Sequence, residues 1–234
     1  MQLVLDLAHR PALAAEDFLV SESNRAAVAM IDSWPAWPQP SVLVVGPARS
    51  GKSHLAHVWQ LMSGAPVVSA ASLGEGAIGR FAECRAMVIE DVDAGLAQER
   101  ALFHLLNMSR ERGGSLLLTS ARPAGELSVS LPDLRSRLRA LPMVRIEPPD
   151  EALLRAVLVK LFADRQLAVE PPVIAHLARH GERSMESAVR IVEEIDRHAL
   201  ATRRRVTRAL AAEVLQRLAG AEALDSGGGD EAAA

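Results

Sequence analysis

Gly46-Pro47-Ala48-Arg49-Ser50-Gly51-Lys52-Ser53 has the spacing G-x-x-x-x-G-K-[ST]. Residues of these types at this spacing cradle a phosphate chain. The glycines let backbone N–H groups turn inward around phosphate oxygens. Lys52 supplies an ammonium for the β- and γ-phosphates, and the Ser53 hydroxyl is a hard oxygen ligand for Mg2+. The loop from Gly46 to Ser53 is therefore the candidate contact surface for ADP or ATP. The competing reading is a chance glycine-rich turn, and the flanking sequence argues against it. Ser41-Val42-Leu43-Val44-Val45 is apolar and β-branched, as a buried strand requires. His54 to Met62 contains neither Gly nor Pro, so a helix can follow and add its dipole to the attraction for phosphate.

Glu90 and Asp91 follow the apolar run Ala86-Met87-Val88-Ile89. A carboxylate at the carboxyl end of a strand next to the phosphate-loop strand reaches Mg2+ or its water, with Glu90 in the metal position. The bland alternative is a solvated strand end. Thr119-Ser120 closes another apolar run. Ser120 there orients a water against a γ-phosphate, or else caps the following turn. Arg135, Arg137 and Arg139 lie close together in Leu131-Pro132-Asp133-Leu134-Arg135-Ser136-Arg137-Leu138-Arg139. An arginine in such a helix stabilises charge on a neighbouring subunit's nucleotide, or the helix is simply basic and solvated. Arg203-Arg204-Arg205 reads as a solvated helix end. The 7 histidines show no metal-binding spacing, and no G-x-S-x-G sequence occurs.

These residues need elements to hold them. Strands are expected at 41–45, 66–69, 86–91, 115–119 and 143–146. Helices are expected at 23–34, 54–62 and 98–112, with a Pro-broken connection at Trp34-Pro35-Ala36-Trp37-Pro38. Strands alternating with helices imply an α/β fold with a parallel sheet covered on both faces. After Pro149 the pattern becomes helical throughout: Asp150–Gln166, Pro172–Gly181, Ser184–Ala201 and Thr207–Leu218, with Asp150 and Thr207 as N-caps and Gly181 as a stop. The division expected is a terminal peptide at 1–12, a nucleotide domain at 13–147, a helical domain at 148–220 and a disordered tail at 221–234.

With 234 residues, 49% hydrophobic and 24% charged, the composition is that of a soluble globular chain. A net charge of −3 supplies no global field for nucleic acid, so sequence-specific DNA binding is not expected. The single Cys84 excludes an internal disulfide and a multi-cysteine zinc site. No apolar run reaches membrane-spanning length and no signal peptide opens the chain, so a cytoplasmic protein without membrane contact is expected.

Several segments together resemble the bacterial replication initiator DnaA. Asp17-Phe18-Leu19-Val20-Ser21-Glu22-Ser23-Asn24-Arg25-Ala26 resembles the stretch leading into its nucleotide domain. Gly51-Lys52-Ser53-His54-Leu55 resembles its phosphate loop, Leu118-Thr119-Ser120-Ala121-Arg122-Pro123 its first sensor, and Leu131 to Leu138 its arginine-finger box. The resemblance runs from about Asp17 to Leu218. It implies an AAA+ P-loop fold: a five-stranded parallel αβα domain followed by a helical lid. It also implies nucleotide contacts from Phe18, Val20, Asn24 and His54, and a finger role for Arg137. Glu182-Arg183-Ser184-Met185-Glu186-Ser187-Ala188 resembles the second sensor helix, where Glu186 stands at the family's arginine position and Arg183 one turn away. A glutamate near phosphates favours ADP over ATP. Glu90 before Asp91 departs from the usual acidic pair and implies weak intrinsic hydrolysis.

Ahead of this core, Gln2-Leu3-Val4-Leu5-Asp6-Leu7 resembles the peptide by which bacterial proteins dock on the DNA polymerase sliding clamp. The alternative is an extra edge strand. A core of this kind with Gln2, Leu3, Leu5 and Leu7 ahead of it, and with the chain ending after the lid, resembles the Hda family. That family docks on the clamp and stimulates hydrolysis of DnaA-bound ATP, which represses re-initiation of replication. The implied partners are the clamp and DnaA, with a homo-oligomer left open. A helicase loader, a self-contained ring ATPase and a non-catalytic interaction module are the rival readings. Replacing Gln2 and Leu5 by Ala is expected to abolish clamp binding in a surface-capture assay and to leave the melting temperature unchanged. A large fall in melting temperature would instead mark residues 1–12 as a packed strand.

Overall fold

Five parallel strands form one sheet in the order β2-β3-β4-β1-β5. They are β1 (Ser41–Val45), β2 (Val67–Ser69), β3 (Ala86–Glu90), β4 (Ser115–Ser120) and β5 (Met143–Arg145). The computed structural model describes residues 19–202 and 205–227, and the side chains of 202 and 221–227 fall outside it. Gln2, Leu3, Leu5, Leu7 and Phe18 lie outside the described residues, as do Arg203 and Arg204. The chain divides after Pro148 into two compact units.

In the first unit, β1 is an interior strand buried along its whole length, which is why Val42 to Val45 read as an apolar run. Its side chains alternate between two layers. Leu43 and Val45 join Met87, Ile89, Leu116 and Leu118 against α3 (Glu75–Cys84), α4 (Glu99–Arg112) and α5 (Pro132–Arg139). Val42 and Val44 join Val88, Leu117 and Val144 against α1 (Arg25–Asp32) and α2 (Lys52–Ser63). The strands sit where the sequence places them, to within a residue or two. The helix α3 has no counterpart in the sequence reading. Gly76 and Gly79 weaken its local propensity, and Ala77 and Phe81, spaced for one helix face, supply burial instead.

The Pro-broken connection between α1 and β1 is a packed element. Trp37 stacks on Trp59 of α2 at 5.2 Å between centroids, and Trp34 meets the same ring edge-on at 6.0 Å. Trp37 Nε1 donates to the Met30 carbonyl (2.7 Å) and Trp34 Nε1 to Ser115 Oγ (3.0 Å). These contacts fasten the entry to β1, and with it the loop that follows β1.

The second unit consists, among the described residues, of α6 (Glu151–Asp164), α7 (Pro171–His180), α8 (Met185–Thr202) and α9 (Arg208–Gly227). Leu158, Phe162, Leu177, Ile191, Ile195 and Val214 lie in its core. Asp150 Oδ1 accepts from Leu153 N (2.7 Å) and Thr207 Oγ1 from Leu210 N (3.3 Å), so both act as N-caps. Gly181 ends α7 without a left-handed turn, since its φ is −76°. It serves close packing, because a Cβ there would lie 2.8 Å from the Leu177 carbonyl and 3.0 Å from Ile191 Cδ1. Helix α9 continues to Gly227, past Ala221, where the sequence reading places the start of a disordered tail. Ala221-Glu222-Ala223-Leu224 are strong helix formers, so the helix continues into the glycine run.

Trp59 is fully buried, and its Nε1 has no hydrogen-bond partner. Trp59→Ala is expected to cost about 3–5 kcal/mol in urea unfolding. Trp59→Phe should cost clearly less, because it keeps an aromatic body and gives up no hydrogen bond.

Candidate phosphate site and arginine face

The phosphate-type loop follows β1 directly and turns into α2. Arg49 and Gly51 adopt positive φ (57° and 102°), which curls the backbone before Lys52 begins the helix. Gly46 sits where no side chain fits: a Cβ there would lie 2.7 Å from Ser50 Oγ and 3.0 Å from Ile146 Cβ. Lys52 is only 8% exposed, and its Nζ donates to the carbonyls of Gly46 and Pro47, both at 2.8 Å. Burial lowers the Lys52 pKa, while Asp91, Asp93 and Glu90 act in the opposite direction. Pro47, Ala48, Arg49 and Ser53 are exposed, His54 is half-buried, and Ser50 is buried. The loop therefore presents its backbone outward and holds its cation from beneath.

The sheet order revises the place of the acidic pair. Glu90 ends β3, and β3 is not next to β1, because β4 lies between them. Val45 pairs with Ser120, and Gly46 N donates to the Ser120 carbonyl (3.1 Å). The end of β4 thus touches the loop, and the end of β3 stands one strand further out. Neighbouring strands are about 4.8 Å apart, so the longer glutamate suits the extra distance. Glu90 Oε1 is buried with no hydrogen-bond partner, whereas Asp91 is exposed with a left-handed backbone (φ 57°). An unpaired buried carboxylate oxygen and the Ser53 hydroxyl are both hard oxygens, the donor type that Mg2+ takes. Among the described residues, no cluster of three or more His, Cys, Asp or Glu forms a metal cage of its own.

The β4 terminus is organised by partners the sequence reading missed. Thr119 Oγ1 accepts from Asp91 N (3.1 Å), and Asp93 Oδ1 accepts from Ala121 N (2.6 Å). These two bonds hold the loop after β3 against the end of β4. Ser120 is fully buried. Its hydroxyl donates to the Arg122 carbonyl (2.6 Å) and accepts from Arg122 N (3.0 Å), which is the turn-capping arrangement. Asn24 is likewise occupied locally: Oδ1 accepts from Ser21 N (2.9 Å) and Nδ2 donates to the Leu19 carbonyl (2.8 Å). It shapes the turn that carries the partly buried Val20. Arg183 precedes α8 in the second unit and Glu186 lies in that helix's first turn, where an acidic side chain favours the dipole. Ser184 Oγ caps the same helix by accepting from Ser187 N (3.0 Å).

The three arginines of the 131–139 segment differ in surroundings. Arg135 is engaged by its own loop, with Nε and Nη2 donating to the Val129 carbonyl (3.2 and 2.6 Å). Arg139 is exposed. Arg137 is half-buried and lines a cavity with Pro38, Gln39, Pro40, Ser41, Leu106, Arg110, Ala140 and Leu141. Ser41 begins β1, so this cavity lies at the opposite strand ends from the phosphate-type loop. The start of α5 is anchored by Glu99, whose carboxylate accepts from Ser130 N and Leu131 N, both at 2.7 Å. Those N–H groups, foremost Ser130, hold the Glu99 pKa below the usual carboxylate value.

No protein-family model matches the chain. It is 28% identical over 194 residues to the chromosomal replication initiator protein DnaA of Cutibacterium acnes, covering 72% of this chain and 39% of that protein. The chain thus corresponds to well under half the length of this curated relative. The fold is that of AAA+ P-loop domains. Domain III of Thermotoga maritima DnaA superposes with a TM-score of 0.70 at 18% identity, covering 89% of this chain and 98% of that one. AMPPCP-bound DnaA from Aquifex aeolicus gives 0.65 at 18% identity, over 80% and 65% of the two chains. The Thermotoga maritima RuvB Holliday junction branch migration motor gives 0.63 at 16% identity, over 85% and 70%. No helix among the described residues is long and apolar enough to cross a membrane.

Lys52→Ala removes the one ammonium held inside the loop. A charged hydrogen bond of this kind contributes about 1.5–3 kcal/mol, so ADP affinity measured by calorimetry is expected to fall at least ~10-fold. Unchanged affinity would remove the loop from the binding surface.

Proposed function

We propose that this chain is a nucleotide-binding AAA+ regulator of the Hda type, acting on the replication initiator DnaA. Its own loop, Gly46 to Ser53, holds ADP or ATP, with Mg2+ at Ser53 and Glu90. Its N-terminal Gln2, Leu3, Leu5 and Leu7 dock on the sliding clamp. Arg137 is presented to the ATP of a DnaA molecule. There, water adds to the γ-phosphorus, the bond to the β-phosphate oxygen breaks, and ADP, inorganic phosphate and a proton leave. A guanidinium stabilises the charge that builds on the transferring group and the β-phosphate oxygens.

The observation that carries this reading is the place of Arg137. It lies on the start-of-strand side of β1, separated from its own phosphate-type loop by the five residues of that strand. At about 3.3 Å per residue the two are roughly 13 Å of strand apart, before the side chains are counted. An arginine so placed serves a nucleotide held by another molecule. The sequence similarity to DnaA supports an initiator as that molecule, because AAA+ modules of like shape stack nucleotide face against arginine face. Beside the chain's own loop, the hydroxyl of Ser120 at the end of β4 is taken up in capping a turn, which supports slow intrinsic hydrolysis. The test is reconstitution: this chain, clamp loaded on DNA, and ATP-bound initiator, followed by ADP formation on the initiator.

Arg137→Ala is expected to lower stimulated hydrolysis by about 10³-fold or more, the scale at which such arginines act, with nucleotide and clamp binding intact. Arg137→Lys should restore little, since an ammonium lacks the planar fork. Arg139→Ala should retain most of the activity, and Arg135→Ala should act only through the loop it ties to Val129. Full activity of Arg137→Ala would overturn the proposal.

A further inference from the structure

We infer that Arg110 works with Arg137 as a second guanidinium in one polyphosphate-binding cleft, an inference that rests on the reading of Arg137 above. The two residues come from different helices, the last turn of α4 and the last turn of α5. Both line the same cavity of about 370 Å3, together with Leu106, Leu141, Pro38, Gln39 and Pro40. Neither guanidinium is paired with a carboxylate or a hydrogen-bond acceptor among the described residues. Two like charges facing one concave space repel each other unless an anion enters between them.

Dipole complementation explains basic residues at helix ends in general. It accounts for Arg112 and Arg139, which share those last turns and do not line the cavity. It does not account for Arg110 and Arg137, from two different helices, lining one cavity. Leu106 and Leu141 bring apolar surface to the same cavity, and a charge-assisted bond to phosphate oxygens beside such surface is stronger than one in open water. Two planar forks on one cavity suit a chain of phosphates better than a single carboxylate, because each fork can take a different phosphoryl group. The phosphate chain of the partner's nucleotide is the ligand of this class that the proposed reaction brings to this face. Arg110 therefore grips that chain while Arg137 meets the transferring phosphoryl group.

The experiment has two arms. In the first, tripolyphosphate is titrated into the full chain carrying Lys52→Ala, which disables the loop on the other side, and binding is read from 31P line broadening. Adding Arg110→Ala should weaken this binding at least ~10-fold, as adding Arg137→Ala should, while adding Arg112→Ala should change it less than ~2-fold. Equal effects of Arg110→Ala and Arg112→Ala would overturn the inference, since they would show only a diffuse positive surface. In the second arm, initiator-bound ATP hydrolysis is followed as the initiator is varied. Arg110→Ala should raise the half-saturating initiator concentration at least ~10-fold, with Arg110→Lys recovering part of it. If Arg137→Ala abolishes stimulation and Arg110→Ala changes nothing, the cleft is wrong and the finger stands. If the first arm succeeds and neither variant alters stimulation, the anion site stands and the proposed regulatory function falls.

Discussion

A lysine ammonium drawn almost wholly out of water is the constraint around which this domain is arranged. Lys52 Nζ donates to the carbonyls of Gly46 and Pro47, and the backbone from Gly46 to Gly51 curls around it. That curl requires a residue without a side chain at Gly46, where Ser50 and Ile146 close in. It also requires a rigid strand beneath, and β1 provides one by lying between β4 and β5 with both faces covered. Burial draws the ammonium toward neutrality, and the carboxylates of Asp91, Asp93 and Glu90 oppose this. The acidic strand end therefore conditions the cation across the sheet edge.

The insertion of β4 between β1 and β3 sets the division of labour at this edge. Residues at the end of β4 touch the loop and are consumed in holding it. Ser120 gives its carbonyl to Gly46 and its hydroxyl to the next turn, while Thr119 takes the Asp91 amide. Glu90, one strand further away, retains an unpaired buried oxygen. Polar residues with similar sequence signatures thus end in different states: one in service of the backbone, the other open to a ligand.

A parallel sheet has two unlike edges, and this molecule uses both. The carboxyl edge carries the loop and its acidic neighbours. The amino edge gathers the ends of α4 and α5, with Arg110 and Arg137 around Pro38 to Ser41. Because the strands are parallel, a cation at one edge cannot fold back onto the phosphates at the other. The loop and Arg137 are thus held at opposite strand ends of the same sheet.

Elements whose signals are local are legible in the chain before it folds. The strand β1, its loop and the start of α2 follow from apolar β-branched runs and glycine spacing, and Asp150 and Thr207 follow from their capping chemistry. The sequence placed Lys52 in the loop because the motif is contiguous. It did not reveal α3, whose glycines hide a helix that burial of Phe81 sustains, nor that α9 runs on to Gly227. Strand order lay beyond it altogether, since pairing between distant runs leaves no mark in either run. Only the tertiary structure set β4 beside β1, turned Ser120 and Asn24 into loop ties, separated Arg135 from Arg137, and brought Arg110 to the same cavity. Each of these depends on contacts between residues far apart in the chain, and such contacts exist only once the sheet has assembled.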